Sequence, residues 1–178
     1  MGELARTLVS LSGPSSVHGV IPEALVRLEA LYDPTTTTTL ATGSEVGAII
    51  KEEQYGKTTV VKDMHARKAR MASLVQRGGP GSGFVALAGG FGTLEELMEV
   101  VTWNYLGIHD KGVVLFNVEG YWDGLMRWVE RSVEEGFVGR GSGAAGILME
   151  AKDAEGVVGA LREYKIGEGR LGLKWGEE

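Results

Sequence analysis

A chain of 178 residues sets a single domain as the expectation, and 43% hydrophobic residues suffice to bury a core. Its net charge of −6 works against non-specific binding of a polyanion such as nucleic acid, while leaving room for a small anion held at a local site. The chain contains no cysteine, which excludes disulfides, thiol nucleophiles and zinc–thiolate sites.

No apolar run approaches the ~20 residues that span a bilayer. The first ten residues, MGELARTLVS, lack the parts of a secretory signal. Arg6 stands where a myristoylation motif requires Ser or Thr. A cytoplasmic protein with no membrane or nucleic-acid partner is therefore expected. Glycine is abundant at 28 residues while proline is sparse at 4, so the glycines belong at turns rather than in a low-complexity chain.

Leu4, Leu8 and Leu11 recur at helical spacing, and Ser12-Gly13-Pro14-Ser15 ends that helix. Val17 to Ile21 reads as a strand. Pro22 then opens a helix to about Leu31, because proline is tolerated in a first turn. Asp33 to Glu45 is Thr-rich and of low complexity, and is expected to be a mobile loop. Thr58 to Lys62 is a second strand, and Met64 to Gln76 a helix with Met64, Lys68 and Met71 on one side.

Arg77 to Gly83 is a flexible connector. Phe84 to Ala88 is apolar throughout and reads as a buried strand. A long helix runs from Thr93 to Gly107, a strand from Gly112 to Asn117 and a helix from Tyr121 to Gly136. Gly146 to Glu150 reads as a last strand, followed by a helix that Asp153 caps and that reaches about Lys165. About five strands alternating with helices predict an α/β fold, doubly wound and mostly parallel, with helices on both faces.

The most informative stretch is Leu87 to Glu96, LAGGFGTLEE. A strand ends, Gly89, Gly90 and Gly92 follow, and Thr93 is expected to begin a helix. Glycines let a backbone approach a ligand closely. A helix start offers unbonded N–H groups and partial positive charge, which favour an anion. Ligands in open α/β sheets bind beyond the carboxyl ends of strands, where this turn lies. The same residues also fit a plain tight turn in which Thr-x-x-Glu is only a capping box.

The turn matches neither G-x-G-x-x-G nor a Walker loop. Glu95 and Glu96, expected in the first helical turn, suit a helix dipole. Beside an anion site they also suit chemistry on the ligand, since a carboxylate stabilises an oxocarbenium-like state or activates water.

A second cluster, Met64-His65-Ala66-Arg67-Lys68, also follows a strand. Cations at a helix start oppose its dipole, and an anionic partner would offset that. A solvated basic face, which accounts for most charge clusters, also explains it. His18, His65 and His109 form no H-x-x-x-H or H-E-x-x-H pattern, so no metal is assigned. No serine stands in G-x-S-x-G, which argues against an α/β-hydrolase triad. Trp103, Tyr105, Trp122 and Trp128 are read as core or subunit-contact residues.

Met64 to Lys68 together with Ala88 to Glu96 resembles the LOG family, the cytokinin riboside 5′-monophosphate phosphoribohydrolases long labelled lysine decarboxylase-like. That family pairs Met-His-x-Arg-Lys with Pro-Gly-Gly-x-Gly-Thr-x-x-Glu. Gly19 to Glu29 and Val100 to Leu125 extend the likeness over most of the chain. The resemblance implies a Rossmann-like fold and a homodimer or larger homo-oligomer. It implies Arg67 and Glu96 as the catalytic pair. Gly89, Gly90, Phe91, Gly92, Thr93, Leu94 and Glu95 would cradle phosphate and ribose, and Glu29, Lys68 and Thr102 would add substrate contacts.

The implied reaction is hydrolysis of the N-glycosidic bond of an N6-substituted AMP, or of AMP, to free base and ribose 5-phosphate, with no cofactor. Ala88 departs from the motif by replacing its proline, losing a fixed φ but keeping the space. Thr35 to Thr39 and Gly78 to Gly83 look like loop insertions. By the same likeness a strand, a helix and a second strand would precede Met1, and the chain is expected to lack them. A catalytically inactive nucleotide-binding remnant is the alternative that this expectation favours. A pyridoxal-phosphate decarboxylase would need a Schiff-base lysine, for which the sequence offers no argued candidate.

Overall fold

The computed structural model describes residues 2–26, 51–139, 144–167, 171 and 173. Two compact units divide the chain, Met1–Met71 and Ala72–Glu178. The Thr-rich stretch at 33–45 and the end of the helix expected after Pro22 lie outside the described residues.

In the first unit, helix α1 spans Gly2–Ser12. It turns Val9 inward and leaves Leu4, Leu8 and Leu11 exposed. Gly13, at φ +80°, stops it and donates its N–H to the Val9 carbonyl at 2.8 Å. Strands β1 (His18–Pro22) and β2 (Lys57–Val61) pair in parallel, with His18 opposite Lys57 and Pro22 opposite Val61. Pro22 thus ends a strand, and residues 23–26 turn helical only after it.

A short helix, α2 (Glu52–Tyr55), packs against α1 and leads into β2 through Gly56. Gly56 has φ +79°, and a Cβ there would lie 2.5 Å from that of Val17, so both backbone angle and space demand glycine. Helix α3 spans Met64–Gln76, the range the sequence predicted.

The second unit holds a three-stranded parallel sheet in the order β3 (Gly83–Ala86), β4 (Gly112–Phe116), β5 (Leu148–Ala151). Helix α4 (Phe91–Leu106) links β3 to β4. The connection from β4 to β5 contains a 3-10 turn (Val118–Gly120), α5 (Asp123–Glu134) and the short α6 (Ala144–Ile147). Helix α7 (Ala154–Glu163) closes the unit against β4 and β5, and Asp153 caps it as expected, accepting from the Gly156 N–H at 2.7 Å.

Every strand pair among the described residues is parallel, and the fold is of the α/β type that the alternation predicted and of the Rossmann-like kind that the resemblance implied. The core explains why β4 is central. Val113, Val114 and Leu115 are all fully buried, and Val113 and Leu115 pack in one cluster with Ala86, Leu97, Trp122, Ile147 and Leu148. Central parallel strands are covered on both faces and so read as continuous apolar runs.

Strand β3 departs from that reading. It ends at Ala86 rather than Ala88, and Val85 is 41% exposed. Its apolar sequence marked a strand correctly but overstated the burial. Helix α4 ends in a paired C-terminal motif: Gly107, at φ +83°, donates to Asn104 and Ile108 donates to Trp103. No helix among the described residues is long and apolar enough to cross a membrane.

Candidate anion-binding site

The Gly-rich segment lies where the sequence placed it, between the carboxyl end of β3 and the start of α4. Its local geometry differs in one respect. The helix begins at Phe91, with Gly90 at the cap position and no side-chain cap. Thr93 is therefore the third helical residue, not the first. Glu95 and Glu96 fall in the second turn, and the first turn carries no acidic residue. A capping box needs Thr at the cap, so that simpler account of Thr-x-x-Glu does not apply.

The sequence misplaced the start because glycine disfavours a helix interior by about 1 kcal/mol. That cost pushed the expected boundary past Gly92. The first N–H groups of any helix lack intrahelical partners, so Phe91-Gly92-Thr93 presents an open, uncapped row of donors.

The three glycines serve different ends. A Cβ on Gly89 would lie 2.2 Å from Thr93 Oγ1, so that position is closed to any side chain. Nothing lies within 4 Å of a Cβ built on Gly90 or Gly92. Neither has positive φ. Open space above an uncapped helix start is what an approaching anion requires.

Along α4, residues three apart share a side. Thr93 and Glu96 form one such pair, close to the buried Leu97. Glu95 and Thr102, seven apart, are exposed on another side together with Phe91, which is 94% exposed. A groove of about 600 Å³ borders the turn, lined by Gly89, Gly90, Phe91, Leu94, Met98, Tyr121, Trp122, Gly124, Leu125 and Trp128. Trp122 is core, as expected, whereas Trp128 is 54% exposed in this groove.

Asn117 and Tyr121 were not singled out by the sequence. Asn117 is fully buried at the end of β4 and joins Asp123, Glu150 and Trp122 through its side chain. The Tyr121 hydroxyl donates to the Gly89 carbonyl at 2.5 Å. A buried asparagine directly after an apolar strand was the available signal, since buried amides must be paired.

The basic cluster belongs to the first unit, at the start of α3. Asp63 caps that helix: its carboxylate accepts from the Ala66 N–H at 2.7 Å, and its carbonyl from the Arg67 N–H at 3.1 Å. The Ala66 bond, ahead of the nearby Lys62 and His65, holds the Asp63 carboxyl below its ordinary pKa. A capping carboxylate partly answers the unfavourable placement of Arg67 and Lys68 against the dipole.

Arg67 Nε donates to the Val20 carbonyl of β1 at 3.2 Å, and its Nη1 lies 3.6 Å from Met64 Sδ. Both Arg67 and Lys68 are half-buried. His18 Nε2 meets Thr59 Oγ1 at 2.8 Å across the β1–β2 pair. Burial, then Lys57 and Arg70, lower the His18 pKa.

Of the predicted site residues, Gly89 through Glu96 and Thr102 thus share one turn and one helix in the second unit. Arg67 and Lys68 share a helix start in the first. Glu29 lies outside the described residues.

A Gly-rich turn at a strand's carboxyl end places this α/β protein in a broad class whose ligands commonly bind at that position. Comparison narrows the class. The family model described as "Possible lysine decarboxylase" matches residues 1–161, and the chain belongs to that family, the LOG family.

The chain is 50% identical to the "Bifunctional cytokinin biosynthesis protein" of Fusarium pseudograminearum, over 98% of its own length and 34% of that protein's. It is 40% identical to the cytokinin riboside 5′-monophosphate phosphoribohydrolase LOG1 of Arabidopsis thaliana, over 92% of its own length and 63% of the relative's. With LOG4 of the same plant it shares 41% identity over 85% of its own length and 58% of the relative's. The chain therefore spans between about one third and two thirds of these relatives.

Proposed function

We propose that the protein is a phosphoribohydrolase that hydrolyses the N-glycosidic bond of a nucleoside 5′-monophosphate. The substrate is a cytokinin riboside 5′-monophosphate, an N6-substituted AMP, or AMP itself. The carrying observation is the uncapped start of α4, open above Gly90 and Gly92. Phosphate occupies this position, bound by the N–H groups of Gly90 to Thr93 and by the Thr93 hydroxyl. The relatives' printed names support the choice of reaction.

Glu96 supplies the carboxylate for the reaction. As the bond between C1′ and the base nitrogen breaks, the electron pair leaves with the base and positive charge grows on the sugar. A carboxylate stabilises that charge or takes a proton from the attacking water. Water adds to C1′ and the proton it gives up passes to the departing base, giving ribose 5-phosphate and free base, with no cofactor. Arg67 is its catalytic partner by the family motif, and Lys68, Glu95, Thr102 and Glu29 serve substrate binding by the same motif.

The active form is a homodimer or larger homo-oligomer in the cytoplasm. Phe91, Tyr121, Trp128 and Phe137 are large, exposed and apolar, which favours a self-association surface. Glu95 and Thr102 face away from Thr93 and Glu96 along α4, which further supports an assembly of copies.

The test is incubation of purified protein with a panel of nucleoside monophosphates and their dephosphorylated nucleosides, assaying ribose 5-phosphate. Release from monophosphates alone is expected. Binding without release from any monophosphate overturns the catalytic reading.

A further inference from the structure

The connection from β4 to α5 is built more tightly than a link requires. Glu119 and Gly120 have φ of 53° and 76°, and Glu119 is the only non-glycine with positive φ among the described residues. Left-handed backbone is unfavourable for a residue with a Cβ and persists only where its surroundings fix it.

Asn117 does the fixing. Its Nδ2 donates to Asp123 Oδ1 at 2.8 Å and to Glu150 Oε1 at 3.0 Å, and its Oδ1 accepts from the Trp122 N–H at 2.6 Å. Its own N–H donates to the Ala151 carbonyl at 2.8 Å. A Cβ on Gly120 would lie 2.7 Å from Asp123 Oδ2, so the turn folds directly onto that carboxylate.

Such a turn delivers Tyr121. Its ring stands edge-on to the buried Trp122, with centroids 5.0 Å apart. Its hydroxyl donates to the Gly89 carbonyl at 2.5 Å. We propose that Tyr121 is a positioning residue for phosphate binding, which clamps the Gly89–Gly90 peptide so that the Gly90 N–H faces the anion.

The reason is geometric. In a trans peptide the C=O and the following N–H point in opposite directions, and the described chain has no cis bond. Holding the Gly89 carbonyl on Tyr121 therefore directs the Gly90 N–H to the far side of the peptide. Without the clamp, two successive glycines allow that peptide to rotate, because glycine explores more backbone conformations than any other residue. The phosphate would then have to order the turn it binds.

This inference rests on the turn being a phosphate site, and its test separates the two. Tyr121→Phe keeps the ring and its packing on Trp122 and removes only the hydroxyl. Calorimetry with ribose 5-phosphate is expected to show binding about three- to tenfold weaker, the range of one net hydrogen bond. Hydrogen exchange of amides 89–93 in the ligand-free variant is expected to quicken. With a nucleoside monophosphate, KM is expected to rise in the same proportion while kcat stays within about twofold.

Unchanged affinity and unchanged exchange overturn the proposal, as does a loss confined to kcat. If the unsubstituted protein binds ribose 5-phosphate but releases no base, the hydrolytic reading fails while weaker binding by the variant still supports the clamp. If it binds no phosphate, the anion site and the clamp fall together.

Discussion

The Oγ1 of Thr93 lies 2.2 Å from where a Cβ on Gly89 would be, so the third residue of α4 folds back onto the first glycine of the turn. Gly90, one residue on, has open space instead. The two glycines therefore predict different consequences. Gly89→Ala forces Thr93 or the turn to move, and is expected to lower both Tm and ligand affinity. Gly90→Ala meets nothing, but its backbone at φ −97°, ψ −149° lies outside the regions a side chain favours, so Tm is expected to fall less than in Gly89→Ala. Its methyl group intrudes on the space for the anion, so affinity for ribose 5-phosphate is expected to fall at least tenfold. Thermal denaturation with calorimetry on both variants checks this; equal affinity losses and equal Tm losses would contradict it.

Glu96→Gln keeps the shape of the side chain and removes its charge. With a nucleoside monophosphate, kcat is expected to fall about 10²- to 10⁴-fold, the usual contribution of a positioned acid or base. Binding of ribose 5-phosphate is expected to persist. Steady-state kinetics with calorimetry decide it, and turnover within a few-fold of the original would remove Glu96 from the mechanism.

Leu115 is fully buried in β4 at the centre of the second unit. Leu115→Ala leaves a cavity among Ala86, Leu97 and Trp122, and is expected to cost about 2–5 kcal/mol of stability. Denaturant titration measures that loss. The exposed Leu11, at 77% accessible, is the contrast: Leu11→Ala in the isolated chain is expected to change stability by less than about 0.5 kcal/mol.

Among the described residues, His18 and Asp63 contribute to the acid side of the stability curve. Folding lowers the pKa of His18 below its ordinary 6.5, chiefly by burial. The folded state thus prefers the neutral ring, and the associated stability is present above pH 6.5 and lost as pH falls through the lowered value. Folding also lowers the pKa of Asp63 below 3.8, chiefly through the Ala66 N–H. Its contribution is present above that value and disappears as the pH falls further. Denaturation at successive pH values is expected to show both declines. His18→Gln is expected to remove the upper one. Asp63→Asn, which still caps a helix but cannot titrate, is expected to remove the lower one. An unaltered profile in either variant would refute its assignment.

Local rules made much of the fold legible. Helical spacing and turn residues delimited α3 to the residue, and Asp153 announced α7. A run of β-branched and leucine side chains marked β4 as a strand, and the structure places it at the centre of its sheet, where a strand covered on both faces tolerates such a run. Other boundaries followed long-range terms. Phe91 and Gly92 are poor predictors of a helix, yet they form the first turn of α4, where missing intrahelical bonds make glycine less costly. Val85 sits in an apolar strand and is still 41% exposed, because burial depends on what packs over a strand and not on the strand's own composition.

For the site, the sequence alone determined the glycine spacing, the helix that follows it and the family motifs, all of which are short-range patterns. Tertiary structure decided that α4 opens uncapped at Phe91, that Gly89 is closed while Gly90 and Gly92 are open, and that Tyr121 reaches the Gly89 carbonyl. Thirty-two positions separate that last pair, and a buried asparagine holds a left-handed turn so that they meet. No local spacing encodes such a contact, because it depends on how β3 and β4 pair and where each strand ends.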